Sequence, residues 1–296
     1  MIGAASLVKG GDAKRRRDLT TAAIPPSSPL CKGGPKVAFT LAEGASRGAI
    51  SDSNHKAAFT LAEVLITLGI IGVVAAMTLP SLMQRQNERA TVSQLKKVAS
   101  ALNQAYMMTV QESGTPDEWG MGGMYEAHSH HIMASKFAKY LKLANNCIDD
   151  EDNRKCKLVY SSFDRKEISR AVVLIDGTYV NFRIWDGGCN VSHSGEANTC
   201  GAILVDLNGN RKPNKNGEDI FQFYLTKRGV VPFGLSGSIL TFEKACNKTI
   251  AQPYPIFSGE NMYACAGWVI YNENMDYLHC NGLSWDGAKS CKELVK

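Results

Sequence analysis

The chain has 296 residues and a formal net charge of +5, a length from which we expect one folded domain with a sizeable core on a long helical stem. Residues 1–58 carry nine Lys or Arg and four Asp or Glu, whereas the remaining residues carry 24 of each sign. The charge excess therefore lies entirely in the first 58 residues. A basic surface that would bind a polyanion is not expected of the folded part, and no nucleic-acid partner is predicted.

Residues 1–58 are predicted to be a basic disordered leader, because Gly, Ser, Pro, Lys and Arg dominate and no apolar periodicity persists. A short segment of the leader is repeated: residues 36–43 recur as residues 56–63 with one difference. The first copy leads into a polar, Gly-rich segment, whereas the second leads into an uncharged apolar run. Only the second copy is therefore predicted to begin a membrane helix.

Residues 59–80 are predicted to be a transmembrane segment. The apolar run of 21 residues that ends at Leu79 would be about 30 Å long as a helix, which matches the hydrocarbon thickness of a bilayer. The alternative is a fully apolar core helix. Pro80 closes the run, where it can kink the helix at little cost in hydrogen bonds.

Residues 81–113 are predicted to continue this helix as an amphipathic stem that buries one stripe against a sheet. Apolar side chains recur there at intervals of three and four residues, and residues 113–116 (Ser-Gly-Thr-Pro) are predicted to end the helix. The stripe comprises Val92, Leu95, Val98, Leu102, Tyr106 and Val110.

Residues 114–296 are predicted to form an exported globular domain. Asp176-Gly177 between two β-type runs is a strong hairpin signal. Residues 264–271 are ambiguous between a short helix and loops, and the acidic residues 149–152 are predicted to be a solvated loop. The other predicted elements are a short helix at 135–143 and strands at 171–175, 178–185, 202–206, 220–226 and 230–232.

Eight of the nine cysteines remain when the leader, which contains Cys31, is removed. An even set beyond the membrane segment indicates export to an oxidising compartment, with buried free thiols in a cytosolic protein as the alternative. Spacings of about ten residues favour three local bridges, although the full pairing stays open. The eight are Cys147 and Cys156, Cys189 and Cys200, Cys280 and Cys291, and finally Cys246 and Cys265.

The junction at Ala58 carries the functional signal. A secretory signal peptide is cut after its apolar region, whereas the small residue Ala58 precedes the apolar run. A cut between Ala58 and Phe59 would discard the leader and keep the helix as the new N-terminus. The Phe-Thr-Leu-Ala-Glu string that begins at Phe59, together with Gly72 and Pro80, resembles the prepilins of type IV pili and type II secretion pseudopilins. Two departures are Ala58, where prepilins usually have Gly, and the long leader.

The resemblance implies an α+β, pilin-like fold, with a long N-terminal helix on an antiparallel sheet and disulfide-tied loops. It further implies cleavage by a membrane-embedded prepilin peptidase and N-methylation of Phe59. Glu63 would pair with the α-amine of Phe59 in the neighbouring subunit, since a charge in hydrocarbon needs a partner. The alternative is that Glu63 reaches the lipid headgroups. Gly69 and Gly72 would allow close helix approach or local unwinding.

Two further groups of residues are candidate metal ligands. The loop that contains Asp206, Asn208, Asn210 and Asp219 alternates oxygen donors as a calcium loop does, with an Asx-turn-rich hairpin loop as the alternative. His128, His130 and His131, near Met121, Met124 and Met133, resemble ligands for a soft metal, although such a cluster on a loop more often faces solvent. No cofactor is predicted other than a candidate calcium ion.

The predicted function is that of a structural subunit, a pseudopilin or minor pilin of a type II secretion or type IV pilus-like filament. Its expected partners are other pilin subunits, prepilin peptidase and an inner-membrane assembly platform. We expect a single-pass protein of the bacterial inner membrane, with the domain periplasmic, or extracellular in the filament. The alternative is a pilin-anchored binding module, such as a tip adhesin or a cargo or DNA-uptake receptor. No hydrolase, P-loop, metalloprotease or dinucleotide motif is present, so neither an enzyme nor catalytic residues are predicted.

Overall fold

The computed structural model describes residues 60–149, 156, 170–193, 195–209, 211–235, 241–246 and 262–295. The predicted leader lies outside these residues. Helix α1 (Leu61–Ser113) has 53 residues, which corresponds to a length of about 80 Å. It is one continuous helix that includes the predicted transmembrane segment from Leu61 onward and the whole predicted stem, with Pro80 inside it.

The second half of α1 is the half that packs against the domain. Its buried side chains follow the predicted stripe, and only the last residue of that stripe, Val110, is partly exposed. Leu95 and Leu102 are fully buried. Gly114 ends the helix with a positive φ of 74°, a conformation that glycine adopts without steric cost. The predicted amphipathic stem is therefore confirmed.

The domain is built around one antiparallel sheet of seven strands, in the order β1-β2-β3-β5-β6-β7, with β4 paired to β5. The strands are β1 (Leu143–Asn146), β2 (Arg170–Leu174), β3 (Tyr179–Ile184), β4 (Val191–His193), β5 (Glu196–Asp206), β6 (Ile220–Thr226) and β7 (Gly229–Pro232). The further helices are α2 (Ala127–Ala138), α3 (Phe242–Ala245) and α4 (Ala266–Asn272).

The main core lies between the helices and one face of the sheet. The α1 stripe, α2 and α4 pack there against alternate side chains of the strands, among them Phe182, Ile203 and Phe223. The opposite face carries a smaller cluster that includes Tyr224 and Phe233, whose rings stack with centroids 3.7 Å apart. The expected α+β, pilin-like architecture is therefore present.

Most predicted strands are found where the sequence places them. Gly177 has a φ of 88° in the turn that joins β2 to β3, as its Asp-Gly signal predicts. The predicted helix at 135–143 is wrong in its position, because α2 begins at Ala127 and ends at Ala138. Residues 264–271, which are ambiguous in sequence, contain the short helix α4. Of the acidic residues 149–152, only Asp149 lies within the described residues.

All eight cysteines of the domain are paired in disulfides. The three local bridges that their spacing favours are present, and the fourth joins Cys246 to Cys265. These bridges tie loops to the sheet and to the C-terminal segment. The local bridges are Cys147–Cys156, Cys189–Cys200 and Cys280–Cys291.

Candidate functional site: the first half of the long helix

A reciprocal cap begins α1. The side-chain oxygen Oε2 of Glu63 accepts hydrogen bonds from the backbone N–H of Thr60 at 2.8 Å and from its hydroxyl at 2.9 Å. The hydroxyl oxygen of Thr60 accepts in turn from the backbone N–H of Glu63, at 3.3 Å. This arrangement is a capping box, which satisfies two donors that a helix N-terminus otherwise leaves without partners.

Beyond this cap, the helix presents apolar side chains to the exterior on all sides. From Leu61 to Met83 its large hydrophobic side chains are 43–80% exposed, and they pack against no other part of the described chain. A continuous exposed apolar surface of this size marks a membrane or protein contact. By length and composition this helix can cross a membrane, and it is the one such helix among the described residues.

The hydroxyl groups within this apolar half bond to the helix itself. Thr67 donates to the carbonyl oxygen of Val64 at 3.0 Å, and Thr78 donates to that of Val74 at 2.9 Å. Ser81 donates to the carbonyl oxygen of Thr78, at 3.0 Å. Internal pairing of this kind is required where no water can serve as a partner. The polar side chains are therefore compatible with a lipid environment.

Gly69 and Gly72 lie on an open surface of the helix. A Cβ atom added at either position would meet nothing within 4 Å. Neither glycine is therefore required by the packing of this chain on itself. Small residues allow two helices to approach closely in a membrane, so both positions are available for contact with another chain.

Three polar side chains of the stem anchor it to the domain. Gln94 donates to the carbonyl oxygen of Leu207 at 2.8 Å. Asn103 both accepts from the N–H of Val230 and donates to its carbonyl oxygen, each at 3.2 Å, so it extends the ladder beyond β7. The hydroxyl of Tyr106 donates to the carbonyl oxygen of Lys227 at 2.6 Å. These contacts fix the rotation of α1 on the sheet and thus which of its faces stays open.

The candidate calcium loop is closed by hydrogen bonds of the chain itself. Asp219 accepts from the side chain of Asn208 at 2.9 Å and from the N–H groups of Asn214 and Lys215 at 2.8 and 2.7 Å. Burial raises the pKa of Asp219 despite these donors. Asp206 Oδ1 accepts from the N–H of Asn208 at 3.2 Å.

The oxygen donors of that loop match the requirements of a hard cation such as calcium only in part. Oδ1 of Asn208 is buried and accepts no hydrogen bond within the described part of the chain, but a cation at Asp219 would have to displace N–H donors. Asn210 lies outside the described residues. Calcium binding at this loop stays a prediction.

The histidines that resemble soft-metal ligands lie on α2 rather than on a loop, and His130 is fully buried. Its Nδ1 accepts from the N–H of Ile184 at 2.9 Å, and its Nε2 donates to the carbonyl oxygen of Met124 at 2.8 Å. Burial lowers the pKa of His130 to about 4. Both ring nitrogens are thus engaged: Nδ1 links α2 to β3, and Nε2 links α2 to the segment that precedes it. The expectation that this cluster faces solvent is wrong for His130.

No three His, Cys, Asp or Glu side chains are grouped as metal ligands within the residues that the structure describes. Of the residues predicted for processing and assembly, Glu63, Gly72 and Pro80 all lie on the exposed half of α1. Ala58 and Phe59 lie outside the described residues. The role of Thr60 as a cap was missed, although the Thr-x-x-Glu spacing is a known capping signal.

Comparison with known proteins identifies the start of this helix. Residues 53–79 match the family model of the prokaryotic N-terminal methylation motif, which is the signature of type IV pilins and pseudopilins. The match covers the second copy of the repeated segment and the apolar run, and it stops short of the domain. Neither a curated protein nor a solved structure matches the chain. The motif indicates a pilin-like structural subunit rather than an enzyme.

Proposed function

We propose that the chain is a pseudopilin or minor pilin of a type II secretion or type IV pilus-like filament. It is cut after Ala58, N-methylated at Phe59 and assembled through the first half of α1. Before assembly it is held in the bacterial inner membrane by this helix, with the domain on the periplasmic side. Its partners are other pilin subunits, prepilin peptidase and an inner-membrane assembly platform.

The observation that carries this proposal is the position of the methylation motif relative to the structure. The matched residues 53–79 run into a helix whose first half is exposed on all sides and whose second half is part of the core of the domain. A cut after Ala58, within the matched residues, would remove only the leader. The apolar half would remain covalently joined to the domain, as a subunit held first by lipid and later by its neighbours requires.

The geometry of Glu63 supports a role in contact between subunits. Its cap uses only Oε2, and Oε1 makes no hydrogen bond to the described residues. One oxygen therefore holds the start of the helix, while the other remains available to accept from an amine. The new α-amine at Phe59 of a neighbouring subunit is a donor of the right charge, since an unpaired carboxylate in an apolar layer is costly, by roughly 2.5–3.5 kcal/mol for a charge at the helix centre.

Replacement of Glu63 tests this assembly role. Glu63→Val removes the carboxylate but keeps the apolar run, so the protein is expected to insert into the membrane normally and to disappear from sheared filaments. Glu43→Val is the matched control, because Glu43 occupies the same place in the first copy of the repeat. It is expected to leave filament content unchanged. Normal incorporation of Glu63→Val into filaments would contradict the proposal.

A further inference from the structure

A cleft of about 490 Å³ lies between α1 and the C-terminal segment, just beyond the apolar half of the helix. Its α1 wall is formed by one helical stripe that begins at Ser81 and includes Arg85, Glu88 and Arg89. The facing wall is formed by residues 273–276 and by His279, Cys291 and Lys292. The cleft therefore starts one residue after Pro80, where the apolar run ends.

The C-terminal segment is held in place beside α1. His279 Nε2 lies 2.8 Å from Glu88 Oε1, and Lys96 pairs with Glu273. Asp276 accepts from the backbone N–H of Cys291 at 2.8 Å. The Cys280–Cys291 disulfide closes the segment. Side-chain contacts thus link the two walls of the cleft, and a disulfide cross-links the C-terminal segment itself.

The charges of the cleft are compensated unequally. Among the carboxylates of its walls, Glu273 is ion-paired with Lys96, Glu88 contacts His279, and Asp276 accepts from the backbone N–H of Cys291. Among the described residues, by contrast, the cations Arg85, Arg89 and Lys292 form no ion pair. These three cations outnumber Glu88 and Asp276, the wall carboxylates without a Lys or Arg partner among the described residues, and this positive excess favours an anionic ligand.

The position of these cations relative to the bilayer indicates which anion. At 1.5 Å per residue, Arg85 and Arg89 lie about 9 and 15 Å along the helix from Leu79. Helical side chains lean in general toward the N-terminus of their helix, which for Arg85 and Arg89 is the side of the apolar half. The headgroup layer is roughly 5–8 Å thick on each side. The cations therefore lie at or just above the level of lipid phosphates.

Exposed apolar side chains lie close in sequence to the cations of both walls. Leu82 and Met83 on α1 are 56% and 62% exposed, and Leu294 and Val295 near the C-terminus are 40% and 88% exposed. Apolar side chains beside Arg and Lys are typical of segments that lie at a membrane interface.

We propose that this cleft binds the phosphate group of an anionic phospholipid headgroup, such as that of phosphatidylglycerol, through Arg85, Arg89 and Lys292. Arginine offers paired N–H donors that match phosphate oxygens, and Lys292 adds a point charge. The bound lipid holds the C-terminal segment against the membrane surface while the subunit is still in the bilayer. The inference rests on the proposed membrane anchorage of α1.

The test uses the full-length protein in a nonionic detergent, titrated with lipids and monitored by native mass spectrometry. The wild-type protein is expected to bind phosphatidylglycerol at least about tenfold more tightly than phosphatidylcholine with the same chains, since each juxtamembrane cation contributes roughly fivefold. The triple variant Arg85→Gln, Arg89→Gln, Lys292→Gln is expected to lose this preference. The control variant Lys142→Gln, Lys212→Gln, Arg228→Gln changes the net charge equally at exposed sites away from the cleft and is expected to keep it.

Three results would overturn the inference. One is equal binding of the two lipids by the wild-type protein. Another is binding of inorganic phosphate as tight as that of the lipid, which would assign a free-anion site. The third is a triple variant that keeps the lipid preference but disappears from filaments, which would make the cleft a contact between subunits. Because the readout needs neither cleavage nor assembly, lipid preference without cleavage after Ala58 would contradict the proposed function alone.

Discussion

At the scale of single residues, Glu63 caps its own helix at the position where a contact between subunits is proposed. Its carboxylate caps the helix that it belongs to, through Thr60, and it is the one acidic group in the apolar half of α1. Capping by Thr60 disperses part of its charge over two donors, which lowers the cost of its position. A glutamate is therefore suited to this position before any partner subunit arrives.

Buried His130 is expected to make stability depend on pH. Burial and the nearby Arg170 and Arg183 lower its pKa to about 4, although the carbonyl of Met124 opposes the shift. The unfolded state, with an ordinary pKa of about 6.5, therefore takes up a proton that the folded state does not. The stability that neutral His130 provides is complete above about pH 6.5 and is lost as the pH falls toward about 4.

Thermal unfolding at about pH 7 and pH 4.5 tests this assignment. The decrease in Tm between the two conditions is expected to be smaller for His130→Asn than for the wild-type protein. His128→Asn is the control, because His128 is exposed on the same helix; it is expected to behave as the wild-type protein does. An unchanged decrease in His130→Asn would show that His130 does not titrate differently in the two states.

At the scale of elements, sequence patterns succeed where one principle dominates. The stem stripe, the Asp-Gly hairpin and strands β6 and β7 follow from periodicity and turn chemistry alone. The predicted position of α2 is wrong because the polar residues His128 to His131 hide the buried face of this helix in the sequence. His130 belongs to that face and is fully buried. The first half of β5 is not predicted, because a glycine at position 201 suggests a break in the strand. In the structure Gly201 lies inside the strand, where an added Cβ would come 2.9 Å from the Cα of Ile184, so glycine is needed for this close approach.

Because the stem packs one face against the sheet, substitutions on its buried and exposed faces are expected to differ in their effect on stability. Leu102 is fully buried in the core, so Leu102→Ala is expected to lower the free energy of unfolding by about 2–5 kcal/mol. Met107, farther along the same helix, is 60% exposed, and Met107→Ala is expected to change that free energy by less than about 0.5 kcal/mol. Denaturant unfolding of both variants measures the difference. Equal effects would contradict the observed rotation of α1.

At the scale of the whole molecule, the sequence predicts more about the N-terminal helix than about the domain. The methylation motif at residues 53–79 identifies the start of the N-terminal helix, because the motif and the apolar run lie together in one short segment. The domain carries no comparable motif and matches no solved structure. Its disulfide spacing indicates three bridges, but the pairing of Cys246 with Cys265 depends on tertiary contacts between α3 and the segment before α4.

The number of free thiols tests both the four disulfides and the removal of the leader. The chain has nine cysteines, eight of which pair within the domain, and Cys31 lies in the predicted leader. Maleimide labelling of the denatured, unreduced protein is expected to detect one thiol in the uncut chain and none in protein from native membranes. Two or more thiols in exported protein would contradict the four-bridge arrangement, and one thiol would indicate that the leader is retained.

Removal of the leader would make the apolar helix the mature N-terminus. This can be tested by the N-terminal sequence and mass of the protein isolated from native membranes. We expect a chain that begins at N-methylated Phe59, with residues 1–58 absent. An intact leader, or a cut after Leu79 that removes the apolar run, would contradict it.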